Sequence, residues 1–110
     1  MKEINPLDDS LKAVGFNSKG NRLEFDYNGG ILHCFNKDLV GLEIPIGVKE
    51  VWCYNNLLTE LILPDGVEQV YCWDNKLTEL KLPEGVENLY CDRNVKGLDN
   101  IDWKCKITLG

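Results

Sequence analysis

Four cysteines, Cys34, Cys53, Cys72 and Cys91, recur every 19 residues, and His33 stands beside the first. Thiols and imidazoles bind zinc and softer metals, but such sites need ligands converging on one point. Cysteines repeated at a fixed period near 20 residues lie one per structural unit, in a line of parallel side chains, which suits neither a metal centre nor a disulfide between neighbours. They are better read as small apolar core groups that let a thin unit close where Leu would overpack. No metal or other cofactor is expected. The carboxylates Glu60, Glu79, Asp65 and Glu84 also recur with the repeat, on its outer side, where they solvate the surface. No nucleophile with a base, phosphate loop or metal-ligand spacing stands anywhere in the chain, so no enzymatic activity is expected.

The cysteines are one column of a wider repetition. Aligned on them, the units read GGILHCFNKDLVGLEIPI, GVKEVWCYNNLLTELILPD, GVEQVYCWDNKLTELKLPE and GVENLYCDRNVKGLDN. Within a unit, Glu50 to Tyr54 alternates apolar and exposed positions, so it is a short strand with Val51 and Cys53 inward and Glu50, Trp52 and Tyr54 outward. Strands of successive units pair in parallel at roughly 4.8 Å, and each 19-residue coil must return one strand spacing along the axis. Asn56, Asn75 and Asn94 follow the cysteines by three residues, where a side-chain amide can satisfy backbone groups that lose ladder partners at the bend. The second half, such as LTELKLPEG, is too short for a helix once Pro83 and Gly85 have taken its end, and is expected to be extended or 3-10, with Leu77, Leu80 and Leu82 inward. The Leu-Pro-acid-Gly sequence then turns the chain into the next strand.

The pattern VxxVxCxxN followed by spaced leucines resembles the leucine-rich repeat family, whose core is LxxLxLxxN, with Cys in the third apolar slot. The Leu-Pro in each unit is similar to that of the short bacterial repeats. The resemblance implies a solenoid with a parallel β-sheet on a concave face, extended or 3-10 segments on the convex side, little or no α-helix, and a concave face that binds partners.

On this reading the chain is one domain, with four repeats over 29–100 and a cap at each end. Ile101, Trp103, Cys105, Ile107 and Leu109 alternate with polar residues, as expected of a C-terminal capping strand over 101–110 with Trp103 as its lid. Residues 1–28 form either a hairpin cap or a degenerate first coil. The coil is favoured because Gly15, Phe16, Asn17, Leu23 and Phe25 fall 19 residues before Cys34, Phe35, Asn36, Leu42 and Ile44.

The outward strand positions align into two columns, His33, Trp52, Tyr71, Tyr90 and Phe35, Tyr54, Trp73, Asp92, of which six of the eight are Phe, Tyr or Trp. At half exposure, six such rings present about 450–750 Å², enough to mark an interface. The expected function is protein–protein interaction through this face, with an acidic rim of Glu50, Asp74 and Asp92. Competing readings are ladder packing that serves the sheet alone, carbohydrate binding, or a homodimer through the same face. An inhibitor or immunity-type protein blocking a basic site on a nucleic-acid enzyme would exploit the acidic surface. Twelve Lys and Arg against eighteen Asp and Glu give a net charge of −6, which lacks the cationic groove that phosphates require, so direct nucleic-acid binding is not expected. No apolar run resembles a signal peptide or membrane span, and five cysteines suit a reducing compartment, so a cytoplasmic location is expected, with delivery to another cell left open.

Overall fold

A computed structural model describes residues 12–93, 95–96 and 106–109. It is nearly all β, a stack of coils whose strands form one parallel sheet. The strands are β1 (Ala13–Asn17), β2 (Arg22–Phe25), β3 (Ile31–His33), β4 (Leu39–Glu43), β5 (Glu50–Trp52), β6 (Gln69–Tyr71), β7 (Asn88–Cys91) and β8 (Lys106–Leu109). The parallel sheet has the order β3-β5-β6-β7-β8, with Leu32, Val51, Val70, Leu89 and Ile107 in one register column. The ladder runs past the strands at both ends. Cys34, Cys53 and Cys72 donate N–H to Trp52, Tyr71 and Tyr90 carbonyls at 2.8–2.9 Å, and Glu68 and Glu87 donate to Lys49 and Glu68 at 2.7 Å.

The inward positions make one continuous core. Val48, Val51, Cys53 and Leu58 of one coil and Val67, Val70, Cys72 and Leu77 of the next are buried, and Leu82 packs partly buried against them. Across the core from the sheet the chain is extended. Leu57 donates to the Leu39 carbonyl and Lys76 to the Leu58 carbonyl, both at 2.8 Å, so the coils are tied on their second side too. Among the described residues no 3-10 segment lies there; the one 3-10 turn is Asn28–Gly30, before β3. Pro in each of these segments removes a donor and β4 is drawn into a second sheet, and both favour extended backbone over a closed turn. Gly47, Gly66 and Gly85 have φ of 112°, 98° and 95°, the conformation that the turn after each Pro demands.

Residues 13–25 form a hairpin, which corrects the favoured degenerate coil. Strand β1 pairs antiparallel with β2 on one side and with β4 on the other, forming a three-stranded sheet β2-β1-β4. The turn decides this: Asn17 Oδ1 accepts the N–H groups of Lys19 and Asn21 at 3.0 and 2.9 Å, reversing the chain within five residues where a coil needs 19. Gly15, which the 19-residue alignment places with Cys34, instead lies against the first coil's outer side. A Cβ there would come within 2.8 Å of the Leu39 side chain, so the glycine permits close contact between β1 and β4.

At the other end β8 joins the parallel sheet as its last strand. Ile107 and Leu109 stand in register with buried Leu89 and Cys91, yet remain 38% and 44% exposed because no described coil lies beyond them. Ile101, Trp103 and Cys105 of the expected cap, and Asn94 of the asparagine ladder, lie outside the described residues.

The other two asparagines close the bends. Asn56, 5% exposed, accepts the N–H groups of Lys37 and Leu39 at 3.0 and 2.9 Å, and its amide donates to the carbonyls of Cys34 and Cys53, both at 3.0 Å. Asn75 repeats this one coil on, accepting from Leu58 N–H at 2.9 Å and donating to Cys53 and Cys72 carbonyls at 3.0 and 3.1 Å. Each side chain thus bonds its own coil and the preceding one. Asn56→Ala strands buried donors and acceptors in two coils and is expected to destabilise the fold by about 1–3 kcal/mol, more than the part-buried Asn75→Ala. Urea denaturation of both variants checks this, and unchanged midpoints would contradict it.

Candidate binding surface

The strand face carries the two columns in order. In one, His33 sits 5.5 Å from Trp52, Trp52 4.3 Å from Tyr71 and Tyr71 4.8 Å from Tyr90, measured between ring centroids. In the other, Phe35, Tyr54 and Trp73 are stacked at 4.7 and 4.2 Å with planes within 4° of parallel. These spacings match the strand separation, because parallel in-register pairing puts residues 19 apart directly over one another. Cross-column contacts such as Tyr71 with Trp73, edge-on at 6.4 Å, lock the columns together.

Stacking changes what the face offers. The six rings are all partly buried, and only His33 of the eight positions is exposed. The half-exposed patch anticipated from composition is therefore smaller. Tyr54 has a stacked ring on each side, and Trp52 and Tyr71 each lie between two rings, so these interior rings offer edges more than the flat platforms that sugars or bases would stack on.

Polar anchors hold these rings. Trp52 Nε1 donates to the Glu50 carboxylate at 3.1 Å, and the Tyr71 hydroxyl donates to Gln69 Oε1 at 2.8 Å. Glu50 and Gln69 precede their rings by two residues and so share the face, a relation that strand periodicity makes readable. Burial, helped by Tyr90 and Glu50, pushes the Tyr71 phenol pKa up, so this hydroxyl stays protonated.

Asp92 ends the second column differently. Its carboxylate accepts the N–H groups of Asp74 at 2.9 Å and Asn75 at 3.3 Å, taking the role that the Tyr54 and Trp73 carbonyls play for Asn36 and Asn55. It completes the backbone ladder where the aromatic column stops. Beside it, Trp73, Tyr90, Cys91 and Thr108 line an apolar notch of about 180 Å³. The bends form a further polar groove of about 380 Å³ bordered by Asn36, Asn55 and Asp74. These three residues share a left-handed φ of 56–58° in successive coils, a conformation Asn and Asp tolerate better than other L-residues. That role was missed in the sequence, although the Asn/Asp recurrence two residues after Cys34, Cys53 and Cys72 carries it.

Set against models of known protein families, curated proteins and solved structures, the chain matches none.

The four cysteines of the ladder are buried and none is in a disulfide, and no group of three or more metal-ligating side chains occurs among the described residues. Burial pushes the Cys34 thiol up to about 12 and raises those of Cys53 and Cys72 as well, with neighbouring thiols adding to the shift at Cys53. The thiols are poor nucleophiles in the native fold. Their protons are held more tightly folded than unfolded, so their contribution to stability is complete below the ordinary value of 9.0 and is lost as pH rises towards about 12. Stability is expected to fall between pH 9 and 12 by up to about 1.4 kcal/mol per pH unit for each of the Cys34, Cys53 and Cys72 thiols. Urea midpoints across that range check this; a Cys72→Ala variant should show a shallower decline, and an identical slope would contradict the assignment.

Proposed function

We propose that the chain is a leucine-rich-repeat solenoid that works as a non-enzymatic protein-interaction module in the cytoplasm, docking a partner protein on its strand face. Trp52, Tyr54, Tyr71, Trp73 and Tyr90 are its anchors, with His33 and Phe35 at the N-terminal edge and Asp92 at the C-terminal one. The carrying observation is that large rings fill the solvent side of consecutive strands and are already fixed, by stacking at 4.2–4.8 Å and by the Glu50 and Gln69 hydrogen bonds. Rings held in one rotamer before contact lose little conformational entropy on binding, which favours Trp and Tyr as interface anchors. Ladder packing explains the contacts within each column but needs no indole on the solvent side, since smaller rings would stack as well. The edge-on presentation suits a contoured protein surface better than a sugar, whose apolar face would need an open ring.

The test separates packing from recognition. A double Trp52→Phe, Trp73→Phe variant keeps both columns stacked while removing the indole edges. Light scattering across concentration first establishes whether a second copy is the partner. Proteins retained by the immobilised chain are then titrated against both forms. Affinity should fall about tenfold or more in the variant with its melting temperature little changed. Equal affinity, or binding that collapses with salt and ignores the substitutions, would place recognition on the acidic surface instead.

A further inference from the structure

The second aromatic column stops one ring short. Phe35, Tyr54 and Trp73 stack at 4.7 and 4.2 Å, and the next coil supplies Asp92, whose carboxylate is drawn back to the Asp74 and Asn75 N–H groups. Trp73 therefore has one face on Tyr54 and, among the described residues, no ring stacked on the other. Trp73 also lines the notch, with Tyr90, edge-on at 6.2 Å, as a side wall and Cys91 and Thr108 completing it. The first column has no such break, since Tyr90 continues it in the same coil.

We propose that this notch receives one planar aromatic ring, a Trp, Tyr or Phe side chain of the protein docked on the strand face, which stacks on Trp73 as the next ring of the column. The assignment rests on the protein-binding reading above. Three observations identify the occupant as a ring. The parallel register puts the next position of the column one strand spacing beyond Trp73, which is the distance at which its rings stack. The walls are an indole face and a phenol edge, which favour a stacked or edge-to-face π partner over an aliphatic chain. The volume of about 180 Å³ is close to that of apolar cavities, roughly 150 Å³, that accept benzene. An ammonium or guanidinium group would also meet Trp73, but the lining itself is apolar and the neighbouring Asp92 carboxylate is already engaged by the Asp74 and Asn75 N–H groups. A ring seated here continues the row of Tyr54 and Trp73 and lies beside Tyr90, so the partner's hot spot would pair with that of this chain.

Free indole is the probe, titrated at millimolar concentration into the full chain and followed by heteronuclear NMR. Saturable shifts are expected at the Trp73 indole, Tyr90 and Thr108, with little change at His33 or Phe35. Thr108→Trp, a substitution at an exposed β8 position, fills the notch and should weaken indole at least tenfold while leaving the remaining spectrum in place; Trp73→Leu should do the same by removing the stacking face. No shifts, shifts spread evenly along both columns, or shifts that survive Thr108→Trp overturn the proposal. None of these readings needs a partner. Lost partner capture with indole still bound therefore counts against the strand-face function and leaves the notch standing.

Discussion

The amide of Asn56 makes hydrogen bonds to two coils at once, and everything else in this fold depends on that link and its repetition at Asn75. A bend after each strand turns backbone groups away from the parallel ladder, and burying them unpaired would cost more than a coil this thin recovers from its core. One side chain that accepts N–H groups of the preceding coil and donates to carbonyls of both satisfies the bend and sets the offset between coils together. Once that offset is one strand spacing, the 19-residue period leaves no freedom in register.

The two faces of the sheet follow from this register. Inward, each coil supplies a Val or Leu and a Cys to the same level of the core, and the small thiol lets the extended outer segment close over it. The thiols sit in a ladder because the coils do, and their raised pKa values follow from burial rather than from any reactive arrangement. Outward, the same periodicity brings rings to stacking distance. A stack is both a structural element and a surface, and the polar bonds of Glu50 and Gln69 turn it into a fixed one.

The coils were legible because period-two alternation and a strict repeat constrain the same residues: Val51, Cys53, Leu58, Val70, Cys72 and Leu77 are all buried as their spacing requires. The N-terminal hairpin was not, because five chance matches at a 19-residue offset resemble a repeat unless the local reversal at Asn17–Asn21 is weighed more heavily. Gly15 against Leu39 is a contact between distant segments that no local pattern encodes. The aromatic columns could be read from parallel pairing alone. Their mutual burial could not, since it depends on ring orientation. Asp92 shows the same limit: its position in the column was visible, whereas its service to the Asp74 and Asn75 backbone appears only in three dimensions.

The most direct test of the central claim is native-state amide hydrogen exchange read residue by residue. The Leu39 and Leu58 N–H groups end on asparagine side chains, whereas those of Cys53 and Cys72 end on strand carbonyls. If the asparagines hold the coils in register, all four amides exchange together, at the slow rate set by global unfolding. Loop-like exchange at Leu39 and Leu58, with the cysteine amides still protected, would mean that the sheet stands without the asparagine links and would contradict the account.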